Sequence, residues 1–115
     1  MPVLKVNENP SQPIREGVTR RFVHGKNLML VVIDFDNGPW SEPEPFHFHV
    51  HEQATYVAEG EFVFFCEGES DQRLKEGDMF FVHSNKKHTI QLLSKTVKLI
   101  DSFNPVREDF LDKIK

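Results

Sequence analysis

From residue 19 onward the chain divides into short runs rich in apolar and β-branched residues: 19–24, 28–36, 46–50, 53–58, 61–67, 72–75, 79–83, 88–93 and 96–103. Turn-forming residues separate many of them, namely Gly25-Lys26-Asn27, Asn37-Gly38-Pro39, Glu59-Gly60, Gly68, Gly77-Asp78 and Ser84-Asn85. Runs this short are strands rather than helices, and many short strands at even spacing predict an all-β sandwich or barrel. No window before Val106 carries apolar residues at helical spacing. Only 107–114, with Phe110, Leu111 and Ile114, predicts a short helix.

With 115 residues the chain is the size of one domain. Residues 1–16, holding Pro2, Pro10 and Pro13, read as an extended N-terminal arm, and 17–115 as the folded domain. The proline-set stretch 39–45 cannot join a sheet interior and is expected to rim something. The longest apolar run, 28–33, is too short to cross a bilayer, and the first nine residues lack the build of a secretory signal, so a cytoplasmic location is expected. Fourteen basic against eighteen acidic side chains give a net charge of −4, and the basic residues are scattered, which argues against a nucleic-acid partner. A single cysteine, Cys66, excludes an internal disulfide and a cysteine-based zinc site. Any metal must be held by histidine and oxygen ligands.

The six histidines are not spread evenly. His47 and His49 alternate with Phe46, Phe48 and Val50, so on a strand the two imidazoles share one face and the apolar residues the other. Two residues of strand advance roughly 6.6 Å, a span two imidazoles can close on one ion. Taken alone, such a pair is more often solvated than ligating. Gln53 follows closely, on a run whose one face carries Gln53, Thr55 and Val57, and Glu59-Gly60 predicts a hairpin into 61–66 that pins Gln53 beside the histidines. Much later His88 follows the Ser84-Asn85 turn. His51 is expected outside the ligand set, His83 as a turn residue and His24 at the surface. Phe62, Phe64, Phe65, Phe80 and Phe81 are expected to fill the core.

These residues resemble the cupin superfamily. Its first motif corresponds to His47-Phe48-His49, Gln53 and Gly60, and its second to Gly77, His83-Ser84-Asn85 and His88. The loop from Gly38 to His47 is longer than usual, and His-Ser-Asn replaces Pro-x-Gly, although Asn85 can take the positive φ that glycine would supply. The resemblance implies a single-domain double-stranded β-helix, or jelly-roll barrel, holding a divalent metal on His47, His49, Gln53 and His88. Nickel, zinc, iron, copper and manganese all suit three imidazoles and an amide oxygen. This neutral ligand set leaves the ion's charge intact, which favours Lewis-acid over redox work.

The tail 101–111 and the segments around His47 and Tyr56 further resemble small bacterial cupins of the KdgF type, which linearise 4,5-unsaturated uronates released from pectin or alginate. By that resemblance Asp101 shuttles a proton and Arg107, with the ion, holds the substrate carboxylate. A metal-dependent dioxygenase and a non-catalytic sugar-binding or sensor cupin are the alternatives. The small core makes a homodimer through the N-terminal strands an expectation.

Overall fold

The computed structural model describes residues 3–112. Nine strands occur among them: β1 (Gln12–Arg15), β2 (Val18–His24), β3 (Met29–Phe35), β4 (Glu52–Glu59), β5 (Glu61–Cys66), β6 (Gln72–Lys75), β7 (Met79–Val82), β8 (His88–Leu92) and β9 (Val97–Asn104). They form two antiparallel sheets, one ordered β1-β2-β3-β9-β4-β7 and the other β6-β5-β8. A short helix, α1 (Glu108–Asp112), follows β9. Ile114, expected at its end, lies outside the described residues. No described helix is long and apolar enough to cross a membrane.

Alternation builds the interior. Along β9 every second residue, Val97, Leu99, Asp101 and Phe103, is buried, and along β4 so are Gln53, Thr55 and Val57. Phe62 and Phe64 of β5 and Leu92 of β8 meet Val18, Phe35, Val57 and Leu99 of the larger sheet in one cluster. Fully burying a side chain such as Phe62 stabilises the fold by about 1.5–3 kcal/mol. A second cluster of Met29, Val31 and Phe103 is covered by Val106, Phe110 and Leu111, so the tail after β9 closes one end of the larger sheet.

The structure corrects three sequence expectations. Segment 46–50 is not a strand: only His47 pairs, as an isolated bridge to His88, and Phe46, Phe48 and Val50 are 52%, 60% and 61% exposed. Pro43 and Pro45 carry no N–H, so the loop touches β8 only intermittently, through the Trp40, Glu44 and His47 N–H groups. Second, Glu59-Gly60 does not turn a hairpin. β4 and β5 belong to different sheets, and Gly60, at φ +92°, makes the corner between them. A Cβ there would run into the Thr96 carbonyl. Third, Phe81 is 45% exposed and Phe65 only half-buried, because each occupies the outward phase of its strand beside inward Phe80 and Phe64. Within the N-terminal arm, Gln12–Arg15 forms β1, an edge strand in which Pro13 needs no inward hydrogen bond.

Candidate active site

His47 and His88 are brought together by the backbone. The His47 N–H donates to the His88 carbonyl at 3.1 Å and the His88 N–H to the His47 carbonyl at 2.9 Å, which sets the two rings 4.3 Å apart. His49 is held two residues on, where its carbonyl accepts the Asn85 N–H at 2.7 Å. Asn85 sits at φ +63°, the left-handed geometry expected for it. The His49 ring then lies 5.0 Å from that of His88. Ligating atoms of His47, His49 and His88 all fall within 4.8 Å of one another. An ion with bonds of about 2.0–2.2 Å spans donors up to about 4.3 Å apart, so small ring rotations suffice for these three imidazoles to hold a metal.

The hydrogen bonds aim the free nitrogens inward. His88 Nδ1 donates to the Lys86 carbonyl at 2.8 Å, and His49 Nδ1 to that of His51 at 2.9 Å, which leaves the Nε2 lone pairs facing the site. His88 Nε2 is buried with no partner. His49 Nε2 faces Gln53 Oε1 at 3.1 Å, while the Gln53 amide nitrogen donates to Thr55 Oγ1 at 2.9 Å and reaches Asp101 Oδ1 at 3.4 Å. Two acceptors therefore stand against each other. A buried orphan nitrogen beside opposed lone pairs is the environment a cation relieves, so this donor set fits a divalent ion. Burial lowers the pKa of all three rings, that of His47 to about 4, with the neighbouring His88, His49 and Arg107 charges adding to burial there. The imidazoles are neutral at neutral pH and need lose no proton to ligate.

Behind the amide lies Asp101. The β4–β9 register sets Thr55 opposite Asp101 and Gln53 opposite Phe103, so all four share the inward face. Thr55 Oγ1 donates to Asp101 Oδ1 at 2.6 Å. Burial pushes the Asp101 carboxyl up to about 6, against the opposing pull of Thr55, Arg107 and Gln53.

Arg107 enters from the tail. Its Nη2 and Nε donate to Asp109 at 2.7 and 3.1 Å, and its guanidinium lies 4.3 Å from the Phe110 ring centroid. That pairing holds the Asp109 carboxyl below its usual range. His47, Gln53, His88, Asp101 and Arg107 all line one cavity of about 300 Å³, which also receives Arg20. His51 stays outside the ligating cluster, its carbonyl orienting His49. His83 is exposed against Phe81, and His24 is exposed as well.

Sequence reasoning missed Arg20, Thr55 and Asp109 as parts of the site. For Thr55 the signal was present, since it shares the face of Gln53. For Arg20 it was ambiguous, because the consecutive positions 20 and 21 of β2, which point to opposite faces, are both arginine.

The cupin domain family matches residues 31–103. The pectin degradation protein KdgF of Dickeya dadantii (strain 3937) is 36% identical over 107 residues, which cover 91% of this chain and 94% of that protein. The structure of KdgF from Halomonas sp. superposes with a TM-score of 0.81 at 32% identity, covering 93% of this chain and 97% of that one. An RmlC-like cupin from Shewanella frigidimarina NCIMB 400 gives 0.81 at 34% identity, with 93% and 94% covered.

Proposed function

Because the chain belongs to the cupin family, we propose that its cavity linearises 4,5-unsaturated uronates from pectin or alginate breakdown, with a divalent ion on His47, His49, Gln53 and His88. The observation that carries this reading is the meeting, in one cavity of about 300 Å³, of imidazoles, a buried carboxyl and a guanidinium. That volume suits one small sugar acid. The similarity to the Dickeya dadantii pectin degradation protein over 91% of the chain supports the substrate class.

When bound, the ion supplies Lewis acidity that polarises a substrate oxygen. The chain's own residues do the rest. Arg107 is oriented by Asp109 through Nε and Nη2, and its remaining N–H groups hold the substrate carboxylate. Ring opening breaks the C1–O5 bond; the proton of the C1 hydroxyl leaves as the aldehyde forms, and O5 takes up a proton to become an enol. The ketone then forms as C4 gains a proton and the enol oxygen loses one. Asp101 carries this proton. With its carboxyl pushed up to about 6 it can both give and accept near neutral pH. Its Oδ1 already receives Thr55, so Oδ2 is the oxygen left for exchange.

The test is the loss of ultraviolet absorbance of a purified unsaturated uronate, with metal content measured on the same sample. Turnover above the uncatalysed rate is expected. A ligand-dependent thermal shift without turnover would instead favour a sugar-binding cupin, and oxygen uptake on substrate addition a dioxygenase.

A further inference from the structure

Arg20 projects from the inward phase of β2, where Val18 and Arg20 are the two buried positions. It is 4% exposed and lines the same cavity as Asp101 and Arg107. Its Nε is buried with no hydrogen-bond partner, and no ion pair among the described residues includes it. The other two arginines of the cavity are engaged, Arg15 with Glu44 and Arg107 with Asp109. What fixes Arg20 is an aromatic contact: its guanidinium lies 3.8 Å from the centroid of Phe110, the ring that Arg107 approaches at 4.3 Å. Phe110 therefore contacts both guanidiniums, one with its Nε–Nη2 edge occupied and one with its Nε unanswered. A buried cationic donor with no acceptor is costly unless an oxygen arrives to meet it, and a carboxylate meets a guanidinium best.

From this geometry we infer that Arg20 is a second anchor for the substrate carboxylate, engaging it beside Arg107. The inference rests on the sugar-acid reading above and names a residue that determines acid specificity. Arg20 would select acids over neutral sugars, and Phe110 would set the spacing between the two guanidiniums.

The metal-loaded protein is titrated with galacturonate, a saturated acid that cannot react, and with galactose, its neutral counterpart. Wild type is expected to prefer galacturonate. Arg20→Gln should lower that preference about tenfold to a hundredfold, the scale of one charge-assisted hydrogen bond, and leave galactose binding unchanged. Arg20→Lys, which keeps the charge but not the fork, should fall between. With the unsaturated uronate, Arg20→Gln should raise KM by a similar factor and keep kcat within about twofold. Should Arg20→Gln not fold, the wild-type Arg20 Nε–H resonance decides: it should move on addition of galacturonate and stay still with galactose. A folded Arg20→Gln that keeps the wild-type preference, or an unmoved Nε–H resonance, overturns this inference alone. A wild type indifferent to the two sugars overturns the sugar-acid reading along with it.

Discussion

At the imidazole end of the cavity, His49 Nε2 and Gln53 Oε1 oppose their lone pairs at 3.1 Å and His88 Nε2 has no partner. At the guanidinium end, Glu44 and Asp109 each have an arginine beside them and Arg20 is left over. One end lacks a cation and the other an anion. Asp101 stands between, bonded through Thr55 and Gln53 to the first and drawn by the charge of Arg107 at the second. Such a cavity suits a molecule with an anionic group for the arginines and a polar reacting oxygen for the ion, and the contrast can be broken at either end.

The largest effect is expected where the two ends meet. Asp101→Asn preserves size and both ends but cannot exchange a proton, so kcat should fall by about 10²- to 10⁴-fold with KM nearly unchanged. A variant that kept its turnover would remove Asp101 from the chemistry. At the guanidinium end, Arg107→Ala should raise KM by about 10- to 100-fold and touch kcat less. It also frees Asp109, so Arg107→Lys is the control that separates charge from fork geometry.

Gln53→Glu sharpens the imidazole end with a smaller change. Metal should be retained, by elemental analysis, since an anionic ligand is added. The new carboxylate would replace a donor 3.4 Å from Asp101 Oδ1 with a like charge, so the Asp101 carboxyl should rise further and the acidic limb of the pH–rate profile should move up. Unchanged turnover and profile would deprive the neutral amide of catalytic meaning.

The smallest effect concerns acid. The metal-free protein holds three imidazoles whose pKa burial lowers from 6.5, that of His47 to about 4. Over that window the unfolded chain binds more protons, so stability falls as pH drops below about 6.5. Asp101 acts in the opposite sense. Its carboxyl rises from 3.8 to about 6, so the folded state binds the extra proton and gains stability as pH falls through 6. With His51, whose pKa burial also lowers, four rings stand against one carboxyl and predict a net fall in Tm between pH 6.5 and 4, deeper when metal is bound because protons compete for the ligating nitrogens. A Tm that stays level on acidification would mean that the rings are not held neutral.

How much of this could be read from the sequence depended on whether a residue's neighbours were set by alternation or by crossing chains. Alternation along β4 and β9 made Gln53 and Asp101 legible as inward residues, and Asn85 announced its own turn. His47 and His49 were found for a partly mistaken reason. They converge because a proline-broken loop leans on β8, and the apolar residues that alternate with them, Phe46, Phe48 and Val50, face solvent. The corner at Gly60 looked like a hairpin because glycine with positive φ serves both, and only the pairing of β4 with β9 tells them apart. Arg20 stayed hidden because its role comes from Phe110, ninety residues away in the chain and on a different element.

The most direct measurement follows the product in deuterated solvent by proton NMR, using fully metal-loaded protein and a purified unsaturated uronate. An open-chain keto acid that carries one deuteron at C4, on a single face, is expected, formed faster than without protein and about 10²- to 10⁴-fold more slowly by Asp101→Asn. Substrate that converts only at the uncatalysed rate, with deuterium on both faces, would contradict the proposed linearisation.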